Sequence, residues 1–161
     1  FKNIFFKKTH LMLRRKFLKI LTSTAAIFAS GLVTPTKAFA EWNQAAFSAK
    51  DFNTAINVYF PKQKIHESNQ IKIEVYDEVE NGAIVPVKVE TSLQNVKAIT
   101  IFADKNPNPL IANFDLSPNC IGFVSTRIKV SEPSNIIVVI DSNEMLYMTK
   151  KFIIVHENGC G

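Results

Sequence analysis

The reactive residues of this sequence are two thiols, Cys120 in "SPNCIGF" and Cys160 in "ENGCG". A thiolate attacks sulfur and can later be displaced from it. A free cysteine, with a pKa of about 8.5, reacts only modestly until another protein engages it. Cys160 lies between Gly159 and Gly161, two of the four glycines that follow residue 40. Glycine flanks remove side-chain bulk and widen the accessible backbone conformations, which suits a thiol that must travel to meet its reactants. Cys120 precedes Ile121 and Phe123 and is expected to be a small buried hydrophobe. A disulfide between Cys120 and Cys160 is the competing reading for both, and would make the chain a binding module with a structural disulfide. A redox couple is a weaker third reading, because the two are far apart in sequence and form no C-x-x-C pair.

No other constellation offers catalysis. His66 and His156 are the only histidines after residue 40, and neither has a second ligand at metal spacing, so no metal site and no cofactor are expected. His66 falls in a polar stretch and reads as solvated. His156 lies four residues before Cys160, where it could favour the thiolate or simply end a strand. Glu78 and Glu80 fit a solvated turn, and no glycine-rich phosphate loop occurs.

These residues must be positioned by the elements before them. In "EWNQAAFSAKDFNTAINVYF" apolar residues recur every three or four positions, which predicts a helical segment, broken near Lys50, recapped at Asp51 and ended by Pro61. Its stripe of Trp42, Phe52, Tyr59 and Phe60 reads as a packing face against the domain or a partner. That much apolar surface on a small domain predicts a partner. After a polar linker from Lys62 to Asn69 the period becomes two. "IKIEV", "VPVKVE", "VKAITIFAD", "LIANFDL", "GFVSTRIKV", "NIIVVID" and "LYMTKKFIIV" read as seven strands. Their separators carry turn residues: Glu80-Asn81-Gly82, the Asn106-Pro107-Asn108-Pro109 run, Glu132 to Asn135 and Asp141 to Glu144. The expected fold is mainly β: an immunoglobulin-like antiparallel β-sandwich of about seven strands with an N-terminal helical segment.

Net charge divides sharply. Residues 1–40 hold eight Lys and Arg and no acid, whereas residues 41–161 hold eleven against fourteen Asp and Glu, a balance of −3. A basic head before an apolar stretch marks targeting, and it argues against a nucleic-acid partner. The stretch Ile20 to Val33 has fourteen residues, short of the roughly 20 that a membrane span needs. It is preceded by "RRKFLK", with Arg14 and Arg15, and followed by the small-x-small "AFA" of Ala38 to Ala40. Residues 1–40 are therefore expected to be a twin-arginine signal peptide, cleaved before Glu41, with no permanent membrane anchor and a periplasmic destination. Residues 41–154 are then the helical segment and sandwich, and residues 155–161 a flexible carrier arm.

The ending "NGCG" resembles the Gly-Gly-Cys-Gly-Gly terminus of SoxY, the sulfur carrier of bacterial thiosulfate oxidation. The likeness continues through "ENGAIVPVKVET", "VKAITIFADKNPNPLIANFDLSP" and "GFVSTRIKVSEPSNIIVVID". It implies a protein that is not itself an enzyme and that forms a periplasmic heterodimer with a SoxZ-like subunit. Cys160 would be the site of covalent attachment. A SoxAX-like haem protein would load thiosulfate onto it, a SoxB-like hydrolase would release sulfate, and a SoxCD-like enzyme would oxidise the remaining sulfane sulfur. Asn158, Gly159 and Gly161 would form the flexible arm. Asn158 replaces the family's first glycine, a mild change because asparagine tolerates positive φ. The family's last glycine has no counterpart, as expected of a clipped sequence. Cys120 is not part of the family motif.

Overall fold

In β4 (Val85–Thr91), Val85, Val87 and Val89 are buried while Pro86, Lys88 and Glu90 face solvent. That alternation marks a strand with one dry face, and each buried valine contributes roughly 1.5–3 kcal/mol. In β8 (Ser134–Ser142) the run from Ile136 to Ile140 is buried throughout, so both faces of this strand are covered. The computed structural model that shows this describes residues 43–156.

The described residues form two short helices, α1 (Gln44–Phe47) and α2 (Phe52–Tyr59), and nine strands. The remaining strands are β1 (Ile65–Glu67), β2 (Ile71–Glu74), β3 (Glu78–Val79), β5 (Val96–Ala103), β6 (Leu110–Asp115), β7 (Phe123–Ile128) and β9 (Met145–Val155). The order β1-β9-β8-β5-β6, with β3 also on β9, makes a six-stranded sheet, and β2-β4-β7 makes a three-stranded one. The fold is thus mainly β, two sheets with a short helical segment ahead of them, as the alternation predicted. All seven expected strands form.

The two additional strands are β1, inside the stretch read as a polar linker, and β3, in the turn that holds Glu78. Both run parallel to β9, so the sandwich is not wholly antiparallel. At three and two residues they are too short to show an alternating pattern; their partner strand defines them.

Two cores lie on opposite faces of the large sheet. Between the sheets, Ile99, Ile101, Ile136, Val138, Ile140, Ile153 and Val155 meet the valines of β4. On the outer face, Phe102, Ile137, Val139 and Leu146 pack against Ala46, Ala49 and Ala55 of the helical segment, with Phe52, Tyr59 and Phe60 beside them. Phe52 meets Phe102 edge-on, with ring centroids 5.5 Å apart. Phe52, Tyr59 and Phe60 therefore pack on their own sheet and are not themselves an exposed face, while Phe152 and Ile154 remain exposed. Trp42 lies outside the described residues.

Side-chain caps begin both helices. The Asn43 carboxamide oxygen accepts from the Ala46 amide at 3.1 Å, and the Asp51 carboxylate accepts from the Thr54 amide at 2.9 Å. A hydrogen bond from the Thr54 side chain, and then that from the Thr54 amide, hold the Asp51 carboxyl below its ordinary pKa of 3.8. The Asn-Pro-Asn-Pro turn ties layers together. Asn106 donates to the Lys129 carbonyl at 2.8 Å and accepts from the Ser131 amide at 2.9 Å. Asn108 donates to the Phe47 carbonyl at 2.8 Å, which anchors the helical segment to the sheet.

Candidate functional site

β9 is the longest strand and leads toward Cys160. It starts after Asn143 and Glu144, both at positive φ (51° and 64°), a pair that closes the β8–β9 hairpin. From there it crosses the whole molecule. Tyr147, Ile153 and Val155 point between the sheets, while Phe152 and Ile154 lie exposed on the outer face.

The far end of β9 is held on several sides. β3 lies parallel to it, with Glu78 opposite Ile154 and Val79 opposite Val155. The Ile154 amide donates to the Asp77 carbonyl at 2.8 Å, and the His156 amide to the Val79 carbonyl at 3.0 Å. Val155 is buried. Beneath it sits Gly82, where an added Cβ would fall 2.1 Å from the Val130 carbonyl oxygen and 2.7 Å from a Val155 methyl. Only glycine lets the turn, the Val130 backbone and the end of β9 approach this closely. The Lys151 ammonium reaches across the strand edge to the Val75 carbonyl at 2.7 Å and the Asp77 carboxylate at 2.9 Å. The His156 imidazole lies 3.6 Å from the Glu78 carboxylate, both side chains being largely exposed. Val155, read as the first residue of the arm, is the last residue of the strand. Among the described residues the last backbone bond of the segment belongs to His156.

Cys160, Asn158, Gly159 and Gly161 lie outside the described residues, as do Arg14 and Arg15 of the expected signal. Cys120, expected to be buried, is an exposed free cysteine. The reason is topological. The segment from Leu116 to Gly122 passes from an edge of one sheet to an edge of the other, over the open end of the sandwich. Leu116 donates to the Lys97 carbonyl at 2.8 Å, and the Gly122 carbonyl accepts from Thr91 at 2.9 Å. Ile121 is 78% exposed. Apolar neighbours in sequence therefore do not enclose the thiol. His66 is an exposed residue of β1 beside Tyr147.

Cys120 and the end of β9 belong to opposite ends of the sandwich. Gly122 packs near Val96, which pairs with Ser142, which pairs with Met145 at the start of β9. From Met145 to His156 an extended strand covers roughly 36 Å. The four residues from His156 to Cys160 span at most roughly 14 Å, and a disulfide spans up to about 7 Å between Cα atoms.

Among the described residues no group of three His, Cys, Asp or Glu side chains is placed to hold a metal ion. What sequence reading missed is the clamp formed by Asp77 to Val79 and Gly82. Its one signal was a glycine in a turn whose partner lies 48 residues away at Val130.

Comparison with known proteins adds to this geometry. A search of curated protein sequences found no match. The family model of the sulfur oxidation protein SoxY matches residues 56–160. The solved structure of the sulfur carrier protein SoxY from Chlorobium limicola f thiosulfatophilum aligns with a TM-score of 0.61 and 36% identity, covering 71% of this chain and 100% of that one. A family match reaching from α2 through Cys160, with the same fold at 36% identity, means that the chain belongs to the SoxY family of sulfur oxidation proteins.

Proposed function

We propose that this SoxY-family chain is a sulfur carrier and not an enzyme, and that it bears its cargo covalently on Cys160. The observation that carries the reading is the clamped end of β9. Buried Val155, the His156–Val79 bond and the Gly82 contact make a rigid root, and Cys160 follows four residues beyond it. A thiol on a tether of at most roughly 14 Å from a fixed root can enter the cleft of a separate enzyme while the sandwich stays outside. Gly159 and Gly161 keep the tether narrow around the sulfur. A thiol takes on sulfur as a disulfide-like S–S bond, either by exchange with an existing S–S bond or with two electrons passed to the loading haem protein, and releases it by exchange or hydrolysis, so the carrier needs no base of its own.

The chain acts in the periplasm after export by the twin-arginine route, with Arg14 and Arg15 in the signal. It pairs with a SoxZ-like subunit and is served in turn by SoxAX-, SoxB- and SoxCD-like enzymes. The basic, acid-free first 40 residues and the "RRKFLK" motif support the export reading.

Intact mass of protein purified without reductant, from cells oxidising thiosulfate, tests the attachment site. Sulfur or sulfonate-bearing adducts should map to Cys160. Adducts mapping only to Cys120, or a Cys160 that never carries sulfur, would overturn the reading.

A further inference from the structure

A short link joins the two halves of the clamp on β9. The Val79 carbonyl accepts from the His156 amide at 3.0 Å, and the Gly82 carbonyl accepts from the Val130 amide at 2.8 Å. Only Glu80 and Asn81 lie between them. Gly82 also fills its slot closely, since an added Cβ would fall 2.1 Å from the Val130 carbonyl oxygen. The backbone between these two anchors therefore has a fixed length to span.

Asn81 sits in that link, and three features of its surroundings favour one reaction. The residue is exposed, so water reaches it. Its carboxamide oxygen accepts from the Ala83 amide at 2.9 Å, which polarises the side-chain carbonyl and places a donor where negative charge develops on attack. The Gly82 amide donates to no acceptor among the described residues, and glycine has no Cβ to shield its nitrogen. An activated carbon, an unengaged nitrogen on the next residue and access for water are what closure to a succinimide requires.

We propose that Asn81 is a site of self-deamidation, with water as the co-reactant, and that its isoaspartyl product releases the clamp on β9. The Gly82 nitrogen gives up its proton to hydroxide and bonds to the Asn81 side-chain carbonyl carbon. The bond from that carbon to the carboxamide nitrogen breaks, and ammonia leaves with a proton taken from water. Water then adds to one of the two ring carbonyls and breaks its bond to the Gly82 nitrogen, which leaves aspartate or isoaspartate. One water is consumed and one ammonia released, with no oxidation or reduction, and neither cysteine takes part. Aspartate adds only a charge, next to Glu80. Isoaspartate also routes the main chain through the side-chain carbon, which inserts one bond of about 1.5 Å between the Val79 and Gly82 anchors. Gly82 has no room to move inward, whereas β3 is held by two residues alone. The strand shifts, and the bonds from Ile154 and His156 to the Asp77 and Val79 carbonyls weaken.

The test uses the full chain with Asn158→Ser, because Glu157-Asn158-Gly159 repeats the tripeptide Glu80-Asn81-Gly82. Protein is incubated in mildly alkaline buffer, native or in urea, and each asparagine is followed by peptide mapping that separates aspartate from isoaspartate. In native protein Asn81 should convert faster than any other asparagine, mainly to isoaspartate, and within about fivefold of its rate in urea, since no opening of the fold precedes attack. A slower native rate, or faster conversion elsewhere, would overturn the site. Hydrogen exchange reads the consequence: in the isoaspartyl protein the Ile154 and His156 amides should exchange at least about tenfold faster. Asn81→Ser, which keeps an acceptor for the Ala83 amide and cannot deamidate, should retain its protection through the same incubation. Fresh Asn81→Asp, which carries the charge without the extra bond, should retain it too. Isoaspartate at residue 81 with Ile154 and His156 still protected would overturn release of the clamp, as would an equal loss in either variant.

Discussion

The two ends of the sandwich hold similar parts in different mechanical settings. Each has a cysteine in the chain nearby, a glycine pressed against a neighbour, and exposed apolar side chains. At the Met145 end, Cys120 lies in a segment tied on both sides, by Leu116 to β5 and by Gly122 to Thr91. At the Val155 end the described chain reaches His156, whose amide donates to the Val79 carbonyl, and Cys160 follows four residues later in the sequence. A thiol secured on both sides is a fixed surface feature, whereas the proposed carrier role needs one that can travel. Exposure alone does not make a carrier, since Cys120 is exposed; the anchoring of its segment on both sides argues against that role.

The largest effect should come from exchanging the roles of the two thiols. Cys160→Ser should abolish thiosulfate-dependent turnover in a reconstituted system while thermal unfolding stays unchanged. Cys120→Ser should leave turnover close to normal. Retained activity in the first, or lost activity in the second, would reverse the comparison.

A smaller effect should come from the glycines. At Gly82 a methyl group would meet a backbone carbonyl at 2.1 Å, and backbone cannot rotate aside. At Gly122 the nearest atom is a Thr91 side-chain methyl at 2.5 Å, with Val96 next at 3.3 Å. Gly82→Ala should therefore cost about 2–3 kcal/mol in urea unfolding, at the upper end for overpacking, and Gly122→Ala about 1 kcal/mol. Gly82→Ala should also raise amide exchange at Ile154 and His156, whose acceptors lie on the displaced strap. Equal costs at both sites would mean that the root is no more constrained than the other end.

The smallest effect is a pH dependence at the start of α2. The Lys50 ammonium lies 3.2 Å from the Asn108 side chain, so the Asp51 cap is at the same end as the root. Thr54, through its side chain and its amide, lowers the Asp51 pKa from 3.8, so the cap's contribution is complete above that value. It is lost as pH falls through the lower, folded-state value. Exchange of the Thr54 amide, followed by NMR, should rise over that acidic range and should not rise in Asp51→Asn, which caps without titrating. An unchanged Thr54 amide would mean that the cap contributes nothing measurable.

Much of this molecule is written locally. The alternation in "VPVKVE" and the unbroken apolar run in "NIIVVID" specify a strand with one dry face and a strand with two, because side chains alternate across a pleated backbone. Asp51 and Pro61 delimit α2 by their own chemistry: one caps with its side chain, the other lacks an amide hydrogen. "NGCG" identified the candidate thiol, since glycines beside a cysteine after a strand have little to do in a core. What lay beyond sequence was every property that depends on a distant partner. Cys120 sits among apolar neighbours yet is exposed, because the path from β6 to β7 decides where its segment runs. Phe52, Tyr59 and Phe60 cover their own sheet, because residues such as Phe102 and Val139 on the outer face of β5 and β8 needed burial. β3 and β1 exist only against β9, since two or three residues cannot form a strand without a ladder to join. Composition and period act within a few residues and so can be read along the chain, whereas burial and reach are set by contacts that only the folded arrangement brings together.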